Sequence, residues 1–145
     1  MGGQHPGSGP VVDIGGRSAD ELSLHGVKAS AEELPPVRKL LRLWATEAGL
    51  PRDEVEDLVL ATDEAMANVV DHAYPDGAGS FDLDAVCGLT GQIVITVTDF
   101  GRWHAPVMSP EQSLRGRGLQ LMKGLAHDVE IETLVTGTRV RMTFS

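Results

Sequence analysis

Two helical periodicities run back to back between Val37 and Tyr74, and the clearest strands after them come in pairs. Val37, Leu40, Leu41, Trp44, Ala45 and Ala48 recur at the spacing of one buried helix face. The Gly49-Leu50-Pro51 break ends that helix and opens a second, from about Asp53 to Tyr74, which the Pro75-Asp76-Gly77-Ala78-Gly79 turn stops. Phe81, Leu83, Ala85 and Cys87 then alternate with Asp82, Asp84 and Val86, and after Gly88-Leu89-Thr90-Gly91 Ile93, Ile95 and Val97 alternate with Val94, Thr96 and Thr98, which predicts an antiparallel hairpin. Leu119, Met122, Leu125 and Ala126 predict a short helix. Val129 and Ile131, then Val140, Met142 and Phe144, predict a last hairpin around Thr136-Gly137.

A first strand is expected over Glu21 to Val27, with Leu22 and Leu24 facing inward. Ser30 and Glu33 have the spacing of a capping box before the first helix, with Pro35 and Pro36 fitting a first turn. The order is therefore β-α-α-β-β-loop-α-β-β. Strands that are not separated singly by helices exclude a doubly wound sheet and predict an α+β two-layer sandwich: a mainly antiparallel (mixed) sheet with three helices on one face. Residues 1 to about 19, rich in Gly, Pro and small polar residues, are expected to form a flexible tail, and residues 20–145 a single domain. From Asp99 to Gly118 no period is visible, and a segment of that length inside a compact domain reads as a functional loop or lid.

Charge narrows the partners. With 21 acidic and 12 basic side chains the net charge is −9, which repels a phosphate backbone, so no direct nucleic-acid partner is expected. An anionic nucleotide would have to be held locally, by backbone N–H groups, a cation and a few placed arginines. A single cysteine, Cys87, excludes an internal disulfide. No apolar run reaches the length of a membrane span, and the first ten residues lack a signal-peptide pattern; a cytoplasmic protein with no membrane partner is expected.

Chemistry concentrates in three places. Glu64, Asn68 and His72 stand four residues apart on the second helix, and steps of about 100° per residue put them in one stripe beside its apolar face. An amide oxygen suits Mg²⁺, a hard cation that takes one or two protein ligands plus phosphates and waters, and a carboxylate one turn earlier can polarise an attacking hydroxyl. Surface helices also carry such residues without function. Asp99-Phe100-Gly101 ends a strand, where a carboxylate can accept from an exocyclic amine at a gain of about 1.5–3 kcal/mol; alone, Asp-x-Gly mostly marks turns. Arg115-Gly116-Arg117-Gly118-Leu119 opens a helix with glycines, an anion-binding arrangement whose dipole adds only about 0.3–1 kcal/mol. A hinge with two solvated arginines is the plain alternative.

Together and in this order, the three stretches resemble the nitrogen box and the two glycine boxes of the GHKL ATP-binding superfamily (Bergerat fold), across about residues 20 to 144. The Glu-Ala-x-x-Asn-x-x-x-His-Ala-Tyr form of the first box and the ending Gly137-Thr138-Arg139-Val140 are most similar to the anti-sigma-factor serine kinases of the RsbW and SpoIIAB type. The resemblance implies ATP and Mg²⁺ as cofactors, with Asn68 binding the metal and Glu64 acting as general base on a substrate serine. It implies Asp99 for the adenine amine, Gly101 giving the base room, and Thr138 supporting it. Arg115, Gly116, Arg117, Gly118 and Leu119 would surround the phosphates. His72 matches a family histidine and would contact either the ligand or the lid. The partners it implies are a sigma factor and an anti-sigma antagonist, with a homodimer as the suggested assembly. One departure stands out: Trp103 occupies the position of the family's second glycine in the first glycine box. Two other functions compete with the kinase, namely a noncatalytic ATP-dependent binding module and a relative of histidine-kinase catalytic domains.

Overall fold

The computed structural model describes residues 13–17, 20–74, 77–101 and 117–144. The elements, in chain order, are β1 (Asp13–Arg17), β2 (Glu21–Lys28), a 3-10 turn (Ala31–Glu33), α1 (Leu34–Glu47), α2 (Arg52–Asn68), a π-turn (Val69–Ala73), β3 (Ser80–Cys87), β4 (Ile93–Asp99), α3 (Arg117–Leu125), β5 (Asp128–Leu134) and β6 (Gly137–Phe144). The strands form one six-stranded sheet ordered β1-β2-β3-β4-β6-β5. All five pairings are antiparallel, so among the described residues the sheet is not mixed.

Alternation sets the two faces of the sheet. Phe81, Leu83 and Ala85 on β3, Ile93, Ile95 and Val97 on β4, and Val140, Met142 and Phe144 on β6 are buried under the helices. Their neighbours Asp82, Asp84, Thr96, Thr98, Arg139 and Arg141 fall on the opposite face. β2 keeps this rule across an irregularity. Leu22 and Leu24 face in, and a bulge between Leu24 and Val27 returns Val27 to the inside. Gly26 supplies the left-handed turn at φ 73°, and its N–H donates to Asp82 Oδ1 at 2.9 Å.

The helices complete the second layer. Helix α2 packs against both α1 and α3 and touches β4, so it is the middle element of its layer. Val55, Leu58, Val59, Ala61, Thr62, Ala65 and Met66 are its buried residues, and α1 contributes Leu41, Trp44 and Ala45 to the core. Arg38 reaches Asp63 at 2.8 Å and Arg42 reaches Glu56 at 3.0 Å, pinning α1 to α2 on the solvent side. Such exposed pairs contribute little to stability but fix the side-by-side register of the two helices.

Three features differ from the sequence reading. β1 lies inside the stretch read as tail: its Asp-Ile-Gly-Gly-Arg sequence has no alternating apolar pattern, and it pairs with β2 through its backbone. The Ser30–Glu33 capping box is replaced by a 3-10 turn in which the Ser30 carbonyl accepts the Glu33 N–H at 3.0 Å, and α1 starts at Leu34 with Pro35 and Pro36 in its first turn. The second helix is not α-helical to its end, because Val69–Ala73 winds as a π-turn.

Candidate nucleotide site

Helix α2 carries Glu64 and Asn68 at its C-terminal end, both half-buried. The Asn68 Nδ2 donates to the Glu64 carbonyl at 3.0 Å, which occupies the amide nitrogen and turns the amide oxygen to the other side. The N-terminus of α3 comes up against this pair. A Cβ on Gly118 would lie 2.9 Å from Glu64 Oε2 and 3.1 Å from Asn68 Nδ2, so only a glycine leaves both side chains where they are. A carboxylate, an amide and the first turn of a helix therefore converge from two elements separated by about 50 residues of chain, and packing of α2 on α3 holds them there.

His72 lies inside the π-turn. Bonding five residues ahead instead of four winds the chain less per residue, so His72 follows Asn68 by a step other than the α-helical one. His72 is exposed, whereas Val69 and Ala73 are buried. Such turns often mark functional positions.

A second group forms where β4 ends. Asp99 is 2% exposed and stands opposite Thr138 of β6, itself 2% exposed, in the sheet register. Asp99 Oδ1 accepts the Gly101 N–H at 3.1 Å. Gly101 is pressed against the end of the π-turn, since a Cβ there would fall 2.1 Å from the Ala73 carbonyl oxygen. Gly137 makes a similar approach from β6: a Cβ would meet the Asp99 carbonyl oxygen at 1.9 Å. Asp99 and Thr138 are thus placed side by side by the β4–β6 ladder, with backbone packed where side chains would otherwise intrude.

Tyr74 was quoted in the first motif, but sequence reasoning gave it no role. Its hydroxyl donates to the Ser80 carbonyl and accepts the Phe100 N–H at 2.9 Å. Its position at the end of the stripe, an aromatic residue followed closely by Gly79, was the available signal.

The structure brings Glu64, Asn68 and Gly118 together, and joins Asp99, Gly101 and Thr138 at the end of the sheet. Leu119 is buried in the core, so only its backbone is positioned to meet a ligand. Arg115, Gly116, the Arg117 side chain and Trp103, with the lid expected around them, lie outside the described residues. The donor set fits Mg²⁺ held together with phosphates: an amide oxygen and a half-buried carboxylate beside a helix start, with no cluster of three or more His, Cys, Asp or Glu ligands among the described residues.

The histidine kinase-like ATPase domain family matches residues 27–144. Serine-protein kinase RsbW of Bacillus thuringiensis (strain Al Hakam) is 30% identical over 119 residues, which cover 72% of this chain and 73% of that protein. The anti-sigma F factor of Caldanaerobacter subterraneus subsp. tengcongensis is 30% identical over 116 residues, 73% of this chain and 80% of that one. Among solved structures, the RsbU and RsbW domains of a Mycobacterium tuberculosis protein align with a TM-score of 0.69 and 25% identity over 86% of this chain, which spans 32% of that longer one. By sequence, by fold and by the order of its three motifs, the chain belongs to the histidine kinase-like (GHKL) ATPase family and groups there with the RsbW-type anti-sigma-factor kinases.

Proposed function

We propose that the protein is an ATP-dependent serine kinase and anti-sigma factor, which binds a sigma factor and phosphorylates an anti-sigma antagonist on serine. The observation that carries this reading is the convergence of Glu64, Asn68 and Gly118. Asn68 would hold Mg²⁺, which when bound would supply charge neutralisation on the phosphates. The N–H groups at the start of α3, Gly118 and Leu119 included, cradle the phosphates. Arg115 and Gly116, just before α3 in the sequence, and Arg117, its first residue, would supply the remaining anion contacts.

Glu64 is the catalytic group. Its carboxylate sits one turn before Asn68 and takes the proton of the attacking serine hydroxyl. Asp99 accepts from the adenine amine, with Thr138 beside it and the Gly101 N–H holding its carboxylate. His72, exposed within the π-turn, meets the lid or the phosphates. The names of the relatives support the protein-kinase and anti-sigma parts of this reading.

The test is phosphotransfer from Mg-ATP to a purified anti-sigma antagonist, with wild type and Glu64→Gln compared. Serine phosphate formed by the wild type and reduced about 10²–10⁴-fold in Glu64→Gln, while nucleotide binding survives, is the expected result. Nucleotide binding without any phosphotransfer would replace the kinase by a noncatalytic ATP-dependent module.

A further inference from the structure

The β3–β4 ladder runs in unbroken register from Cys87 opposite Ile93 to Phe81 opposite Asp99. One step further, Ser80 and Phe100 are joined by a side chain. The Tyr74 hydroxyl donates to the Ser80 carbonyl and accepts the Phe100 N–H at 2.9 Å. A phenol from the end of the α2 segment thus takes the place of the next rung of the sheet.

The ring is as tightly placed as the hydroxyl. A Cβ on Gly79 would fall 2.3 Å from ring carbons Cδ1 and Cε1, and one on Gly101 2.7 Å from Cε1. Two glycines therefore make the slot that the ring fills. Gly101 is held from a second side by the Ala73 carbonyl, and its N–H binds Asp99 Oδ1 at 3.1 Å. A continuous chain of contacts runs from the Tyr74 hydroxyl to the Phe100 amide, from the ring to Gly101, and from Gly101 to the Asp99 carboxylate.

We propose that Tyr74 is a positioning residue for nucleobase selection: by fixing the Phe100–Gly101 backbone it sets the direction of the Asp99 carboxylate, and hence the preference for a purine with a 6-amino group over one with a 6-oxo group. The proposal rests on reading the pocket as an ATP site with Asp99 facing the base. A carboxylate accepts from an amine and repels a carbonyl oxygen, so its orientation decides how strongly the two are told apart. The same segment that carries Glu64 and Asn68 to the phosphates would in this way register the base end of the pocket, through its last residue.

The experiment is calorimetric titration of Mg-ATP and Mg-ITP into wild type, Tyr74→Phe and Phe100→Pro. ITP carries a 6-oxo group and an N1–H where ATP has a 6-amino group and an unprotonated N1. Phe100→Pro removes the amide donor and sets the ring Cδ against the Tyr74 hydroxyl, so it breaks the same bridge from the other side; the strand residue Asp99 before it has the extended backbone that proline requires of its neighbour. Both variants are expected to lower the ATP:ITP affinity ratio about tenfold, with ITP binding nearly unchanged and the dependence on Mg²⁺ intact. A structural role alone would weaken both nucleotides in parallel and leave the ratio at its wild-type value, which overturns the proposal. Should Tyr74→Phe not fold, Phe100→Pro alone decides by the same ratio. Failure of the wild type to bind Mg-ATP would instead overturn the reading of the pocket, and the proposal with it.

Discussion

A methyl group on Gly118 would lie 2.9 Å from Oε2 of Glu64, a separation that Cβ atoms essentially never tolerate. The atom it would strike is the far end of a flexible side chain, so the helix has no need to move. Gly118→Ala is therefore expected to keep its melting temperature within a few degrees, as surface substitutions do, while displacing the Glu64 carboxylate and the Asn68 amide. Mg-ATP affinity should fall about tenfold, measured by calorimetry beside a thermal melt. A variant that melts early and binds normally would mean that Gly118 serves packing and not the pocket.

Gly101 poses the opposite case. Its missing side chain faces a backbone atom, the Ala73 carbonyl oxygen at 2.1 Å, and the ring of Tyr74 at 2.7 Å. Neither can swing away without moving the π-turn or the β3–β4 end. Gly101→Ala should destabilise the fold by about 1–3 kcal/mol, a typical cost of overpacking a closed site, read from the shift in a urea denaturation midpoint.

Tyr74 also predicts a pH effect. Burial, then the nearby Asp99 carboxylate, pushes its phenol above the ordinary tyrosine value, although the Phe100 N–H pulls the other way. The folded protein then holds the phenolic proton more tightly than the unfolded chain. The stabilisation is complete below about pH 10, where both states are protonated, and is lost as pH rises from there through the higher folded value. Tyr74 is the only tyrosine, so tyrosinate absorbance reports this group alone. Native protein should titrate later than denatured protein, and Tyr74→Phe should lose less stability than wild type above about pH 10.

Much of this layout was legible because it is written in spacing. The α1 and α2 faces, the β3–β4 and β5–β6 hairpins and the short helix at Leu119 each follow from apolar period, and their order led to the two-layer antiparallel arrangement. The Glu64–Asn68 pair was legible for the same reason, being one turn apart. What escaped has no such pattern. β1 is a glycine-containing edge strand whose pairing is made by backbone groups, and the bulge at Gly26 breaks the very alternation that would announce Val27 as inward. The π-turn depends on how the end of α2 packs, so the winding that carries His72 past Asn68 could not be read from spacing. The bridge from Tyr74 to Ser80 and Phe100 joins residues that become neighbours only once the sheet has formed.

The central claim, that Asn68 and its surroundings hold Mg-ATP, is tested most directly by calorimetric titration of ATP into wild type and Asn68→Ala, each with Mg²⁺ and with EDTA. Asn68 is half-buried and its amide nitrogen binds the backbone of its own helix, so the truncation should leave the fold intact. Magnesium-dependent binding by the wild type, and its loss in Asn68→Ala, is the predicted result. Equal ATP affinity in the two proteins, with and without the metal, would contradict it.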